Sequence, residues 1–121
     1  MASPNIVGVT NINANSAFLV VSASEQSLVP AAATGHVLKI NSILIGNVTA
    51  NTANVTLNFH SAASLGGTSY RILKETAIPG NASLSVLDKS LYVTESNSVG
   101  ILSGTASALE VVVSYDDISA L

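Results

Sequence analysis

Two histidines, His36 and His60, are the side chains of this sequence whose ordinary titration point lies near neutral pH, so acid–base chemistry would have to begin at one of them. A serine nucleophile would need such a histidine as base, a carboxylate behind it, and a Gly-x-Ser-x-Gly turn to present the hydroxyl. Serines are plentiful, but no such turn occurs and the nearest acids are scattered. His60 ends an alternating run and reads as a polar residue on the outer face of a strand. His36 follows Gly35 at a strand start and reads the same way. No catalytic residue is assigned, and the chain is expected not to be an enzyme.

Metal and cofactor chemistry fares no better. Asp116-Asp117 is the one adjacent acidic pair, with Glu110 on the stretch leading to it. A calcium loop needs several oxygens at set spacing, and no Asp-x-Asn-x-Asp-Gly run is present. The pair reads instead as a charged cap that ends the last strand and discourages edge pairing. There is no cysteine, which removes thiolate zinc sites and disulfides together. Gly66-Gly67 and Gly104 belong to no phosphate-binding or dinucleotide fingerprint. Neither a metal nor a cofactor is expected.

Four basic residues against seven acidic ones make no cationic footprint for nucleic acid. Lys39 and Lys89 stand alone, and Arg71 and Lys74 are offset locally by Glu75. No amphipathic helix offers a membrane-binding face. The opening MASPNIVGVTNINANSAFLVV has no basic n-region, and its longest apolar stretch, 17–21, is too short for a signal core or a span. A soluble protein made in the cytoplasm is therefore expected. Three Asn-x-Ser/Thr triplets, at Asn47, Asn54 and Asn81, read as by-products of Asn- and Thr-rich turns rather than as glycan sites.

The elements that would position these residues are strands. Hydrophobic alternation runs near two residues far more often than near 3.6. In the stretch 54–60, Val55, Leu57 and Phe59 face one way and Asn54, Thr56, Asn58 and His60 the other. Further strands are expected over 6–12, 17–22, 37–45, 69–78, 84–87, 91–94, 99–102 and 109–115. The stretches 54–60 and 69–78 read as a hairpin around Gly66-Gly67, and Pro79-Gly80-Asn81 as a turn in which glycine accepts positive φ. Residues 27–33 have room for one helical turn. The 121 residues suit a single domain. The expected fold is all-β, an antiparallel β-sandwich, jelly-roll or Ig-like, of about eight strands.

Composition then bears on function. Charged residues make up 9% of the chain, against roughly 25% in ordinary soluble domains. Eleven lysine, arginine, aspartate and glutamate side chains, four basic and seven acidic, must serve a surface of roughly 6,000 Å². With a net charge of -3, little repulsion keeps copies apart. Such a surface is expected to be covered in use by neighbouring protein.

Several runs carry a family likeness: Tyr70-Arg71-Ile72-Leu73-Lys74, Ile78-Pro79-Gly80-Asn81-Ala82-Ser83-Leu84, Leu91-Tyr92-Val93-Thr94-Glu95, and the closing Ser114-Tyr115-Asp116-Asp117-Ile118. With the opening Ile6-Val7-Gly8 and Lys39-Ile40-Asn41-Ser42-Ile43, the chain resembles small β-sandwich virion structural proteins of tailed bacteriophages, especially marine and cyanobacterial phages. Members tend to end in Ser-Tyr-Glu-Glu-Ile, where this chain has two Asp. The resemblance implies a capsid decoration, or cement, protein on the virion. It would form a homo-oligomer, a trimer favoured, and bind the major capsid protein or another virion protein, with no nucleic acid or membrane partner. Residues 1–15 would form an N-terminal arm or first strand making intermolecular contacts, and residues 16–121 the sandwich. The alternatives are a tail, neck or fibre component, and a receptor- or glycan-binding module using Tyr70, Tyr92, Tyr115, Phe18 or Phe59, of which Phe59 is assigned to the core.

Overall fold

The computed structural model describes residues 11–120. They form nine strands and no helix: β1 (Asn11–Val20), β2 (Gln26–Ser27), β3 (His36–Asn47), β4 (Ala53–His60), β5 (Ser69–Ile78), β6 (Ser83–Ser85), β7 (Leu91–Thr94), β8 (Ser98–Ser103) and β9 (Leu109–Ser119). One sheet runs β1-β9-β3, with β6 and β7 side by side with different halves of β3; the other runs β2-β8-β4-β5. Because β6 pairs with Leu44 to Gly46 and β7 with Val37 to Ile40, the two share one position in the sheet. Counted so, the first strand pairs with the last, the second with the last but one, the third with the sixth position and the fourth with the fifth. That is one long hairpin rolled into two facing sheets, the jelly roll. The all-β sandwich expected from hydrophobic period is the fold observed, and the topology selects jelly-roll over Ig-like.

The core lies between the sheets. Ile40, Ile43 and Ile45 of β3 and Val111 and Val113 of β9 meet Val55 and Leu57 of β4 and Val99 and Ile101 of β8, all essentially without solvent contact. Ile40 and Ile43 both point inward although they are an odd number of residues apart. A bulge resolves this: the β3–β9 register passes from Ile40↔Tyr115 to Ser42↔Ser114, leaving Asn41 unpaired and exposed. One extra residue thus lets the apolar run serve a single face.

Several boundaries differ from expectation. The break expected between 12 and 17 is absent, because all ten residues of β1 pair in unbroken register with β9. Residues 11–15 of the expected arm stand in β1, while 1–10, including most of the strand expected over 6–12, lie outside the described residues. Residues 27–33 hold no helical turn: Leu28 donates its N–H to the Val99 carbonyl at 2.9 Å, and Leu28 and Val29 are buried in the core. At Pro79-Gly80-Asn81 the positive φ falls on Asn81 (61°) and not on Gly80. Gly80 is required for another reason, since a Cβ there would collide with the Ala50 carbonyl.

Asn47 holds this end of the sandwich together. Its buried amide donates to the carbonyls of Asn51 (2.8 Å) and Ile78 (2.9 Å), and its Oδ1 accepts from the N–H and hydroxyl of Thr49. With its nitrogen so used, the first Asn-x-Ser/Thr triplet is a structural hub.

Candidate assembly surface

A jelly roll leaves sheet edges open, and an open edge is a template for another strand unless it is short, bulged or charged. Most edges here are managed. β2, β6 and β7 are two, three and four residues long. β5 is ten residues long, but its register with β4 shifts twice, Glu75 sits at φ 48°, and the strand carries Arg71, Lys74 and Glu75. β1 has none of these devices: its ten residues, NINANSAFLV, contain no charge and no proline, and among the described residues nothing pairs with its far side.

The face beside this edge is apolar. Register places Phe18 of β1 opposite Val112 of β9, and Val112 opposite Leu44 of β3. Phe18 is 80% exposed, Leu44 50% and Val112 46%. Three large apolar side chains on three adjacent strands make a continuous stripe, unlike the singly scattered ones that any surface carries. Ile12 and Val20, also exposed, lie on the same face of β1 because their positions differ from Phe18 by even numbers. A shallow groove between Phe18, Val20, Glu110 and Val112 roughens the stripe at its edge.

The titratable residues are organised differently from expectation. His60 is a correction: it does point away from the core, but it is 2% exposed, not a solvated outer-face residue. Glu25, just before β2, covers it. The Glu25 carboxylate crosses β8 above Gly100, where any Cβ would collide with it, and reaches β4. There it accepts hydrogen bonds from His60 Nε2 at 2.7 Å and Asn58 Nδ2 at 2.9 Å. Burial works to raise the Glu25 pKa, but the two hydrogen bonds and the charges of His60 and Arg71 outweigh it and hold the group below its ordinary value. The far nitrogen of His60, Nδ1, lies 3.5 Å from the Ser69 hydroxyl. The order carboxylate, imidazole, hydroxyl is that of a nucleophile relay, with this last separation longer than the about 2.6–3.2 Å at which a proton is handed over. The cluster stitches β2 to β4 over β8.

His36 is paired too: its Nδ1 lies 2.7 Å from Asp117 Oδ1, both side chains partly exposed. Asp116 accepts from Asn41 Nδ2 at 3.2 Å. The two aspartates therefore do not cap a terminal edge. They lie within β9, a central strand between β1 and β3 that continues to Ser119. Among the described residues, no three His, Asp or Glu side chains group as metal ligands. Of the aromatics, Tyr115 is in the core and Phe59 packs against it as assigned. Phe18 lies on the β1 edge, Tyr92 on β7 across the same sheet, and Tyr70 on β5 of the other sheet, so the exposed rings form no common platform.

Local sequence could not reveal the Glu25 cluster, whose members are 33 and 35 residues apart. The unguarded β1 edge did leave a signal, the absence of any charge in the chain's first 24 residues.

No protein-family model matches the sequence, and no characterised protein matches it. Its fold is similar to that of a chain from Bacillus endospore appendages, described as a novel family of disulfide-linked pili. The TM-score is 0.56 and the identity 17%, over 92% of this chain and 88% of that one.

Proposed function

We propose that this protein is a non-catalytic structural subunit that works by packing into a larger proteinaceous assembly. The observation that carries the reading is the long, uncharged β1 edge flanked by the registered Phe18–Val112–Leu44 stripe. The low charge supports it, because a subunit walled by neighbours needs few ionised side chains to stay hydrated. The fold shared with a pilus chain is in keeping with a building-block role.

The more specific form of the proposal is a decoration protein on the head of a tailed bacteriophage, made in the host cytoplasm and carried on the virion. It rests on the sequence resemblance. A homo-oligomer, a trimer favoured, would dock on the major capsid protein and stabilise the shell by mass action, by about 2.7 kcal/mol per site at a hundredfold excess over Kd. A filament subunit is the second reading, favoured by the pilus-like fold. In either case cohesion must differ from that of the disulfide-linked pili, because these 121 residues contain no cysteine. Backbone ladders and apolar contact are left to hold the copies.

Mass measurement and negative-stain microscopy of the purified protein test the reading. Discrete rings that bind phage heads support decoration, and fibres support the filament form. A monomer that binds neither itself nor any virion part overturns both.

A further inference from the structure

We infer that β1 is the seam of a two-fold dimer in which the β1 strands of two copies pair antiparallel, centred on Asn15. The inference deepens the general subunit reading and rests on it, with a two-fold pair taking the place of the trimer.

The ladder direction comes first. Val21 donates its N–H to the Leu109 carbonyl at 2.8 Å, one step beyond the register pair Val20↔Glu110. In an antiparallel ladder, hydrogen-bonded residues recur every second position. The odd residues of β1 therefore turn their N–H and C=O toward β9, and the even residues Ile12, Ala14, Ser16, Phe18 and Val20 turn theirs toward the open edge. A partner strand must meet those even positions.

A second copy is the occupant that fits. A two-fold axis sets a strand against itself, so a charge near the axis would meet its own copy at close range and one farther out would be pressed against an uncharged residue of the partner subunit. β1 carries none of the chain's eleven charges and can self-pair without that penalty. Side chains then fix the register. Centring the axis on Asn15 sets Phe18 opposite Ile12 of the partner subunit, and Ile12 opposite the partner's Phe18. The two most exposed apolar side chains of β1, at 80% and 63%, thus cover one another on the outer face. Ser16 meets the partner's Ala14, both small enough to leave those pairs in contact. About eight ladder hydrogen bonds form, and the stripe runs unbroken from Leu44 through Val112 and Phe18 into the second copy.

A chain without cysteine permits a direct test of register. Asn15 is exposed and would form a non-hydrogen-bonded pair with the partner's Asn15, where Cα atoms approach to about 4.5 Å, within disulfide range. N15C should oxidise to a covalent dimer at least about tenfold faster than S96C, an exposed turn position, because pairing raises the effective thiol concentration. A17C alone should not cross-link, its two copies lying about 14 Å apart along the strands, whereas an equimolar mix of N13C and A17C should give the heterodimer. Self-association by mass without N15C enrichment overturns this seam and leaves the subunit reading standing. A different strand or a terminal segment on the edge would give that result. A protein that is monomeric at every concentration overturns this seam, and the subunit reading falls with it when that monomer also binds no virion part.

Discussion

The Glu25 carboxylate sits 2.7 Å from His60 Nε2, although Glu25 stands just before β2 and His60 ends β4, with β8 between those strands. Only the missing side chain of Gly100 lets the carboxylate pass over β8 to reach the imidazole. Through this contact the segment before β2 is fastened to β4, so the cluster should act on stability and not on assembly.

Its pH dependence has a definite sign. The folded pKa of Glu25 is lower than its ordinary 4.5, so the unfolded chain binds the proton more readily. The stabilisation is complete above about 4.5 and is lost as pH falls through the lower folded value. Thermal melts from pH 7 to pH 3 should show Glu25→Gln melting below the parent at neutral pH. The gap between them should close in acid.

Removing the acceptor entirely costs more. Glu25→Ala strands the buried donors Asn58 Nδ2 and His60 Nε2, each worth about 1–3 kcal/mol when left unmet. Urea titration should rank the parent above Glu25→Gln and Glu25→Ala lowest. Equal midpoints for all three would remove the stitching role.

Asn47 offers a comparable case in the other corner of the sandwich. Asn47→Ala abandons the Ile78 and Asn51 carbonyls and the Thr49 donors at once, and should lower unfolding free energy by about 2–3 kcal/mol. Asn47→Asp, which keeps the acceptor for Thr49 but faces two carbonyls with an oxygen, should be no better. Equilibrium denaturation reads both.

The apolar stripe predicts the opposite separation of effects. Phe18, at 80% exposure, contributes little to the fold of one copy, so Phe18→Lys should change stability by less than about 0.5 kcal/mol. It should nevertheless abolish or greatly weaken self-association, since each ammonium would replace the apolar contact with Ile12 of the partner subunit. Denaturation and light scattering on the same sample separate the two outcomes.

Much of the fold was legible in the residues because period-two alternation and turn chemistry act locally. Val55, Leu57 and Phe59 alternate inward as expected, and Leu91–Thr94 begins and ends where the pattern does. Failures occurred where distant chain decides burial. His60 has a polar neighbour pattern on β4, yet a carboxylate 35 residues upstream covers it. Asp116-Asp117 looks like an end cap, but pairing with β3 carries β9 past it and gives both acids partners. The Asn13-Ala14-Asn15 stretch looks like a break, yet β9 holds it extended. Low charge was visible at once; that it is concentrated away from one specific edge required the strand order.

Sedimentation equilibrium of the parent protein beside Phe18→Lys, across low-micromolar to millimolar concentration, bears most directly on whether copies cohere through β1. The parent should populate dimers or larger species as concentration rises while the lysine variant stays at the mass of one chain. A parent that remains a single chain throughout, or a variant that associates just as well, would contradict the account.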